Sequence, residues 1–305
     1  MNTPLFKKYF EGGIDLFAGP GIRDAENIIV KGKALIDEYE FIVTYDLANA
    51  AIAGRSIFII PFFLENISNG VSHRDALLWS TQDEESGILL SFDDDHWHTW
   101  RQYFDMFDRY GARATFFIQG TLHSRARDDI LAFSSEAVRR GHDLGFHTVN
   151  HLDLRTLTRE EFNAETIEAA AAFSRAGINF SAFAFPFGFS QPWMRTALAP
   201  FFLFTRGYGV NIRFYDGATI TRPFIVSTAL DNIVFPDDEK FESDMRLILF
   251  AAKFTGNTIV PLTTHNISDT AQWGIKPERL EFLLRTAQEL RLRFYTYSDV
   301  RTYFR

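Results

Sequence analysis

The chain has 305 residues, of which 46% are hydrophobic and 23% are charged, a composition typical of a soluble globular protein with a sizeable core. Its 39 acidic and 31 basic residues give a formal net charge of -8, which argues against nucleic acid as a partner. The absence of cysteine excludes disulfides and thiolate metal sites.

Apolar stretches at the N-terminus are interrupted by Lys7, Lys8 and Glu11, so no apolar signal-peptide core is present. No run approaches the roughly 18 apolar residues that a membrane span requires. We therefore expect no transmembrane segment and a location in the cytoplasm. The composition leaves open whether the chain forms an oligomer.

The pattern of the sequence changes near residue 86. Before it the pattern is irregular, although residues 56–64 could form a buried strand and residues 81–87 are typical of a polar loop. We predict that residues 1–86 form an N-terminal extension packed on a catalytic domain of residues 87–305.

After residue 86, apolar runs alternate with helical periods. The predicted strands are 87–92, 113–118, 143–146, 181–185, 257–265 and 291–297. The predicted helices are 97–111, 130–141, 159–176 with a capping box at its start, 238–254, and one that begins at Pro277. Repeated strand–helix units indicate a parallel sheet with helices outside it.

Chemically versatile residues follow the ends of these strands, at Asp93–Asp94, His147, Pro186 and His265. In α/β barrels, active sites lie at the carboxyl ends of the strands. Side chains alternate along a strand, so one carboxylate of the Asp run could bind a cation while its neighbour faces a water molecule. A solvated loop that caps the following helix is the alternative reading of the Asp run.

His147 and His151 are spaced i, i+4, so on a helical turn they would share one face and one metal ion. His265 is either a general acid or a buried, hydrogen-bonded histidine. We assign the other histidines, including His96 and His142, to the surface or to positions behind the ligands. A carboxylate with two imidazoles suits Zn or a similar divalent ion, and metal-assisted hydrolysis of an amide or ester follows from these residue types.

Four segments together resemble the NodB-homology polysaccharide deacetylases of carbohydrate esterase family 4. They are LSFDDDHW, GHDLGFHTVNHLDL, FAFPFG and VPLTTH, and they occur in the family's order within residues 87–303. The resemblance implies a distorted (β/α) barrel of about seven parallel strands.

The resemblance also implies the roles of five residues. Asp93 would be the general base and His265 the general acid. The metal ligands would be Asp94, His147 and His151, with Zn as the expected ion and Co, Ni or Fe as alternatives.

In the third motif, the backbone N–H of Phe187, after Pro186, would help to hold the oxyanion. Many family members carry an arginine there that braces the base, whereas this chain has Ala184. Arg222 or Arg206 are the candidates to replace that arginine in space.

Two further departures concern acidic residues. The family's Asp-x-x-Asp-Trp motif, which tunes the acid histidine, is not evident, and Asp231 is the candidate for its role. Asp95 stands where the family has glycine and adds a carboxylate beside the metal site.

The resemblance implies removal of N-acetyl groups from an amino-sugar-containing glycan or glycan precursor, so the expected partner is a carbohydrate substrate. Hydrolysis of a small amide or imide, or a sugar-binding pseudoenzyme, are the alternatives suggested by the departures. The aromatic residues that could stack on a sugar, or simply pack in the core, are Trp97, Phe187, Phe189, Trp193 and Trp273.

Overall fold

Parallel strands surrounded by helices dominate the computed structural model of the chain. It describes residues 15–18, 27–34, 39–46, 86–123, 125–209, 212–215, 223–255 and 258–303. Near the N-terminus, β1 (Asp15–Ala18), β2 (Asn27–Ala34) and β3 (Tyr39–Asp46) form an antiparallel sheet. The predicted strand 56–64 lies outside the described residues, and the boundary at residue 86 stays a prediction.

Within the described residues, seven parallel strands close into a barrel. They are β4 (Gly87–Asp94), β5 (Thr115–Ile118), β6 (Asp143–Phe146), β7 (Ala182–Ala184), β8 (Phe204–Gly209), β9 (Phe224–Ala229) and β10 (Ile259–Thr264). Each strand pairs with the next, and β10 pairs back onto β4 to close the ring. The predicted distorted barrel is therefore confirmed.

The barrel is irregular at one point on its wall. Strand β5 pairs with the second half of β4, from Ser91 to Asp94, while the late strand β13 (Arg293–Tyr295) pairs with the first half, Gly87–Leu89. A short ribbon of β11 (Asn266–Ile267) and β12 (Gly274–Ile275) follows β10 and lies beside the carboxyl ends of the strands.

The helices are α1 (Trp97–Gln102), α2 (Phe104–Arg109), α3 (Arg127–Arg139), α4 (Arg159–Asn163), α5 (Ala169–Arg175), α6 (Pro192–Leu198), α7 (Asp238–Thr255), α8 (Pro277–Glu289) and α9 (Tyr297–Tyr303). The predicted helix 97–111 is thus two helices that meet at Tyr103. The predicted capping box is present, because Thr158 and Glu161 exchange hydrogen bonds at the start of α4. A π-helical turn, Ala164–Glu168, joins α4 to α5.

Side chains alternate between the inside and the outside of the barrel along each strand. On β4, Ile88, Leu90 and Phe92 belong to the larger core between strands and helices. Leu89 belongs to a smaller cluster that includes Phe117, Phe204 and Tyr297. Because residues two apart share a face, Asp93 lies on the Leu89 side of β4 and points into the barrel.

Candidate metal and proton-transfer site

The barrel brings the predicted site residues to one edge, at the carboxyl ends of its strands. Asp93 and Asp94 end β4, while His147 directly follows β6. Pro186 and His265 lie just beyond β7 and β10. This is the edge at which barrel enzymes carry their active sites.

Asp94, His147 and His151 form a group that could hold a metal ion, with their candidate ligand atoms all within 4.8 Å of one another. Oδ1 of Asp94 lies 3.3 Å from Nε2 of His147 and 3.5 Å from Nε2 of His151. Asp95 is exposed and lies outside this group, so the additional carboxylate adds no ligand to it.

The donor set suits a divalent cation. Nδ1 of His147 lies 2.9 Å from the carbonyl oxygen of Ala184, which only accepts, so Nδ1 carries the proton and the lone pair of Nε2 faces Asp94. Oδ1 of Asp94 is buried and has no hydrogen-bond partner among the described residues. One carboxylate oxygen and two imidazole nitrogens that converge in this way fit Zn or a similar ion.

The His147–His151 segment is a loop rather than the predicted helical turn, so that expectation was wrong. Thr148 and His151 have φ values of 67° and 53°, and Asp94 has a φ of 85°. Positive φ is uncommon outside glycine, and such backbone conformations persist where surrounding contacts enforce them. The loop thus brings the two histidine side chains together through its positive φ angles, where a helix would have done so through its periodicity.

Glu165 supplies the contacts that hold this loop, a role that the sequence analysis missed. Its carboxylate is buried and accepts hydrogen bonds from the backbone N–H groups of Val149 and Asn150, at 3.2 and 2.9 Å. The side-chain amide of Asn150 donates to its other oxygen. Glu165 lies in the π-helical turn, a rare conformation that often marks functional sites.

Electrostatic effects keep the Asp94 carboxylate charged and disfavour the charged form of His151. Burial acts to raise the pKa of Asp94, but the close pairing with His147, with the charges of His265 and His151, holds it well below its usual value. Burial, with the neighbouring His147, lowers the pKa of His151. A charged carboxylate and an uncharged imidazole are the forms in which these side chains bind a metal ion.

Asp93, the predicted base, is buried inside the barrel and paired with Arg206 of β8. The guanidinium Nη2 donates to Oδ2 of Asp93, and both side chains are almost completely excluded from solvent. Oδ1 of Asp93 has no hydrogen-bond partner among the described residues. Arg206 therefore takes the bracing position that Ala184 cannot fill, while Arg222 lies outside the described residues.

His265, the predicted acid, pairs with Asp231, and Nδ1 lies 3.0 Å from each carboxylate oxygen. Asp231 also accepts from the backbone N–H of His265 and from the hydroxyl of Thr264. Burial acts to lower the pKa of His265, but the hydrogen bond and charge of Asp231, with the charges of Asp93 and Asp94, raise it to about 9. The imidazole is thus protonated at neutral pH, as a general acid must be.

The Pro186–Gly188 turn forms a third side of the site. Phe187 has a φ of 57°, and its half-exposed ring lies 4.6 Å from the ring of His151. A Cβ atom at Gly188 would lie 2.6 Å from the backbone nitrogen of Tyr208, so only glycine lets the turn approach β8 this closely. Pro186 is buried beneath it.

Some of the other aromatic and histidine residues lie away from this edge. Trp97 is buried in the core and cannot stack on a sugar. Trp193 is half-buried against Phe162. His142 was expected at the surface or behind the ligands, but it is 4% exposed and stacked on Phe104 in the aromatic core. Because the aromatic cluster encloses its ring, that expectation was wrong.

The fold and the site together describe an α/β barrel with a candidate metal centre at its carboxyl edge. Residues 80–200 match the family model described as polysaccharide deacetylase. YxkH of Bacillus subtilis, which is named as a putative polysaccharide deacetylase, is 26% identical over 103 residues. That match covers 33% of this chain and 37% of YxkH, so little more than a third of the relative is represented.

Two solved structures are similar to parts of this chain. The Xyl-CE4 domain of a multidomain xylanase from the hindgut metagenome of Trinervitermes trinervoides has a TM-score of 0.50 and 21% identity, covering 71% of this chain and 89% of that one. The peptidoglycan deacetylase PdaC from Bacillus subtilis has a TM-score of 0.45 and 17% identity, covering 72% of this chain and 91% of that one. The family-model match over residues 80–200, which includes three of the four motifs, confirms the predicted resemblance.

None of the helices that the structure describes combines the length and the apolar character needed to cross a membrane.

Proposed function

We propose that the chain is a metal-dependent hydrolase that removes N-acetyl groups from an amino-sugar-containing glycan or glycan precursor in the cytoplasm. The observation that carries this proposal is the set of groups that the barrel brings to one edge. The Asp94–His147–His151 group lies at the same edge as a buried carboxylate, Asp93, and a histidine–aspartate pair. Amide hydrolysis needs a base, an electrophile and an acid arranged in this way.

Asp94, His147 and His151 would hold the metal, for which we propose Zn, with Co, Ni or Fe as alternatives. The bound cation supplies Lewis acidity and makes a water molecule more acidic. Arg206 occupies Oδ2 of Asp93, so Oδ1 is the oxygen that accepts the proton of the attacking water.

His265 donates a proton to the leaving nitrogen, because its pairing with Asp231 keeps the imidazole charged. The backbone N–H of Phe187 is the proposed donor to the carbonyl oxygen as negative charge develops on it. The Pro186–Gly188 turn, packed on β8, fixes this donor before the substrate arrives.

Apolar side chains around the site support a sugar as the substrate. Eight large hydrophobic residues are exposed within the part of the chain that the structure describes, and five of them lie on the loops that carry the site. The five are Leu152, Phe187, Phe189, Ile233 and Trp273. Pyranose rings offer apolar C–H faces to such side chains, and the ring of Trp273 stands 5.6 Å from that of His265, the proton donor.

The two alternatives rest on a missing arginine and a missing acid partner. Arg206 and Asp231 stand in those places in the folded chain, which favours an active deacetylase over a sugar-binding pseudoenzyme. The same contacts also weaken the argument that the substrate is a small amide or imide. Turnover of cyclic or non-sugar amides alone would favour that alternative.

The direct test is acetate release from N-acetylhexosamine oligosaccharides, measured with and without a chelator. We expect release by the metal-loaded protein, its loss with chelator, and its restoration by added Zn. Asp93→Asn should reduce it by a factor of about 10² or more, since a positioned base contributes roughly 10² to 10⁴. Activity that survives both metal removal and Asp93→Asn would contradict the proposal.

A further inference from the structure

Strand β8 contacts the proposed base, the Pro186–Gly188 turn and the partner of the proposed acid, although it carries none of the motif residues. Its inward-facing positions are Phe204, Arg206 and Tyr208, and Arg206 braces the base Asp93. Its backbone supports the Pro186–Gly188 turn, because the carbonyl of Arg206 accepts from the N–H of Phe185 at 3.0 Å. Tyr208, two residues further along, reaches the acid side of the site.

The hydroxyl of Tyr208 donates to Oδ2 of Asp231 at 3.2 Å. Asp231 is completely buried, and its Oδ1 already accepts from the hydroxyl of Thr264 at 2.8 Å and the backbone N–H of His265 at 3.2 Å. Nδ1 of His265 is shared between the two oxygens. The hydroxyl of Tyr208 therefore donates to Oδ2 of Asp231 alone, whereas Nδ1 of His265 contacts both oxygens.

We propose that Tyr208 is a positioning residue for the acid His265. Its hydroxyl holds the Asp231 carboxylate in the orientation that faces Nδ1, and it takes up part of the negative charge on Oδ2. A carboxylate that has given up charge to one donor attracts a second proton less strongly. Tyr208 thus weakens the attraction of Asp231 for the charged imidazole, so that His265 releases its proton more readily.

The other titratable groups near His265 come from the end of β4, the loop after it and the loop after β6. They are Asp93, Asp94, His96 and His151. The indole rings that touch His265 carry no charge: Trp273 faces its imidazole, and Nε1 of Trp100 donates to its backbone oxygen. Removing one hydroxyl from Tyr208 leaves all of these groups in place.

Tyr208→Phe isolates the hydroxyl, because it keeps the ring and the backbone that packs on Gly188. Tyr215→Phe is the matched control. Its hydroxyl also makes a hydrogen bond, accepting from the backbone N–H of Val226, and its backbone pairs with Ile259 at the start of β10, the opposite end of that strand from His265.

The experiment is an NMR titration of the histidine rings in the full-length, metal-free protein, with the His265 resonance assigned by His265→Gln. We expect Tyr208→Phe to raise the pKa of His265 by about half a unit to one unit, and Asp231→Asn to lower it by about one unit or more. Tyr208→Phe should add no shift in the Asp231→Asn background, and Tyr215→Phe should add none in the wild type. An unchanged or lowered pKa in Tyr208→Phe would overturn the proposal, as would a shift that persists without Asp231.

The inference rests on the proposed function only in naming His265 as the acid. If the wild type releases acetate, Tyr208→Phe should move the alkaline limb of kcat/KM to higher pH, with kcat reduced about 5-fold to 20-fold at neutral pH and KM little changed. The NMR shift without hydrolysis of any substrate would leave Tyr208's role intact and contradict the proposed function. Hydrolysis without the shift would contradict the role of Tyr208 alone.

Discussion

At the scale of single residues, two buried ion pairs hold the side chains that are proposed to act as base and acid. Asp93 with Arg206 and Asp231 with His265 are both withdrawn from water, which costs free energy that their mutual attraction only partly returns. A pair of this kind is weak evidence for stability. It is much better evidence for function, because Arg206 orients the proposed base and Asp231 keeps the proposed acid protonated.

Loss of Arg206 should damage both stability and catalysis. Arg206→Met removes the charge but keeps most of the volume, so Asp93 remains buried without its partner, and unfolding should require about 3 kcal/mol less free energy. The rate constant kcat should fall about 100-fold or more, because the base loses the group that orients it. Urea denaturation and acetate release measure the two effects.

Arg109→Met is the control for that substitution, since Arg109 forms an exposed ion pair with Glu281 far from the site. It should change neither quantity appreciably. Equal losses in the two variants would show that Arg206 has no special place in the site.

His142 should make stability depend on pH. Burial lowers the pKa of His142 from 6.5 to about 4. Between pH 6.5 and pH 4, this side chain is therefore protonated in the unfolded chain but not in the folded chain. Stability therefore falls as the pH falls through this range, by about 2 kcal/mol between pH 7 and pH 5. His142→Gln should remove that part of the dependence in urea titrations at the two pH values.

The exposed His98 provides the comparison, and His98→Gln should retain the wild-type dependence. An identical loss of stability from pH 7 to pH 5 in the wild type and His142→Gln would refute this account of the buried ring.

At the level of elements, the sequence predicts best where one side-chain pattern dominates. The strand GILLSFDD and the capping box at Thr158 were predictable, because an apolar run and a local hydrogen-bonding motif can each be recognised from a few adjacent residues. Strands β8 and β9 were not predicted. In β8, glycines alternate with the inward-facing Arg206 and Tyr208, so the residues that build the site also remove the apolar signal of a strand.

In the candidate site, too, residues within local motifs were predictable and residues that act across the fold were not. Its candidate metal ligands and the proposed proton-transfer groups lie within short motifs, so the sequence could indicate them. Arg206 and Glu165 act across the fold, on partners 113 and 15 or 16 residues away, and no local spacing predicts contacts of that kind. Positive φ at His151 likewise arises from the surrounding loop rather than from its own residue type.

The π-helical turn should matter for metal affinity through Glu165. Glu165→Gln keeps the size of the side chain but loses the charge and one acceptor oxygen for Val149 and Asn150, so the ligand loop should loosen. We expect Zn affinity to fall about 10-fold to 100-fold, as for other residues that orient metal ligands. Competition with a fluorescent chelator measures this without any substrate.

Glu161→Gln is a suitable control, because that carboxylate caps the same helical segment but is exposed and makes its hydrogen bonds with Thr158. Unchanged Zn affinity in Glu165→Gln would show that the loop holds its shape unaided.

The β11–β12 ribbon should influence substrate binding through Trp273. Asn232, next to Asp231, anchors the ribbon. Its side-chain amide donates to the carbonyl of Ala271 in the loop between the two strands, and its backbone N–H donates to the carbonyl of Gly274 in β12 at 2.7 Å. Trp273→Ala should raise KM for an N-acetylated oligosaccharide about 10-fold, with kcat less affected, since stacking contributes about 1 kcal/mol or more. Steady-state kinetics measure the two constants separately.

Phe201→Ala removes an equally exposed ring from the loop that follows α6 and should leave KM unchanged. Unaltered KM in Trp273→Ala, with the sugar still hydrolysed, would place the sugar elsewhere on the rim.

For the molecule as a whole, the barrel gathers groups from several strand ends into one site while the rest of each strand builds the core. The chemistry therefore depends on closure of the ring, in which β10 returns to pair with β4 and brings His265 alongside the Asp pair. Metal binding at this edge would tie together β4 and the loop after β6, so a bound ion should also stabilise the closed barrel.

The measurement that tests the account most directly is acetate release by metal-free protein titrated with Zn. We predict that activity rises to a plateau at one equivalent of Zn per chain. Asp94→Asn should abolish the response, whereas His98→Asn, a change at an exposed histidine outside the group, should leave it intact. Full activity without added metal, or a plateau that survives in Asp94→Asn, would contradict a metal-dependent site built on Asp94, His147 and His151.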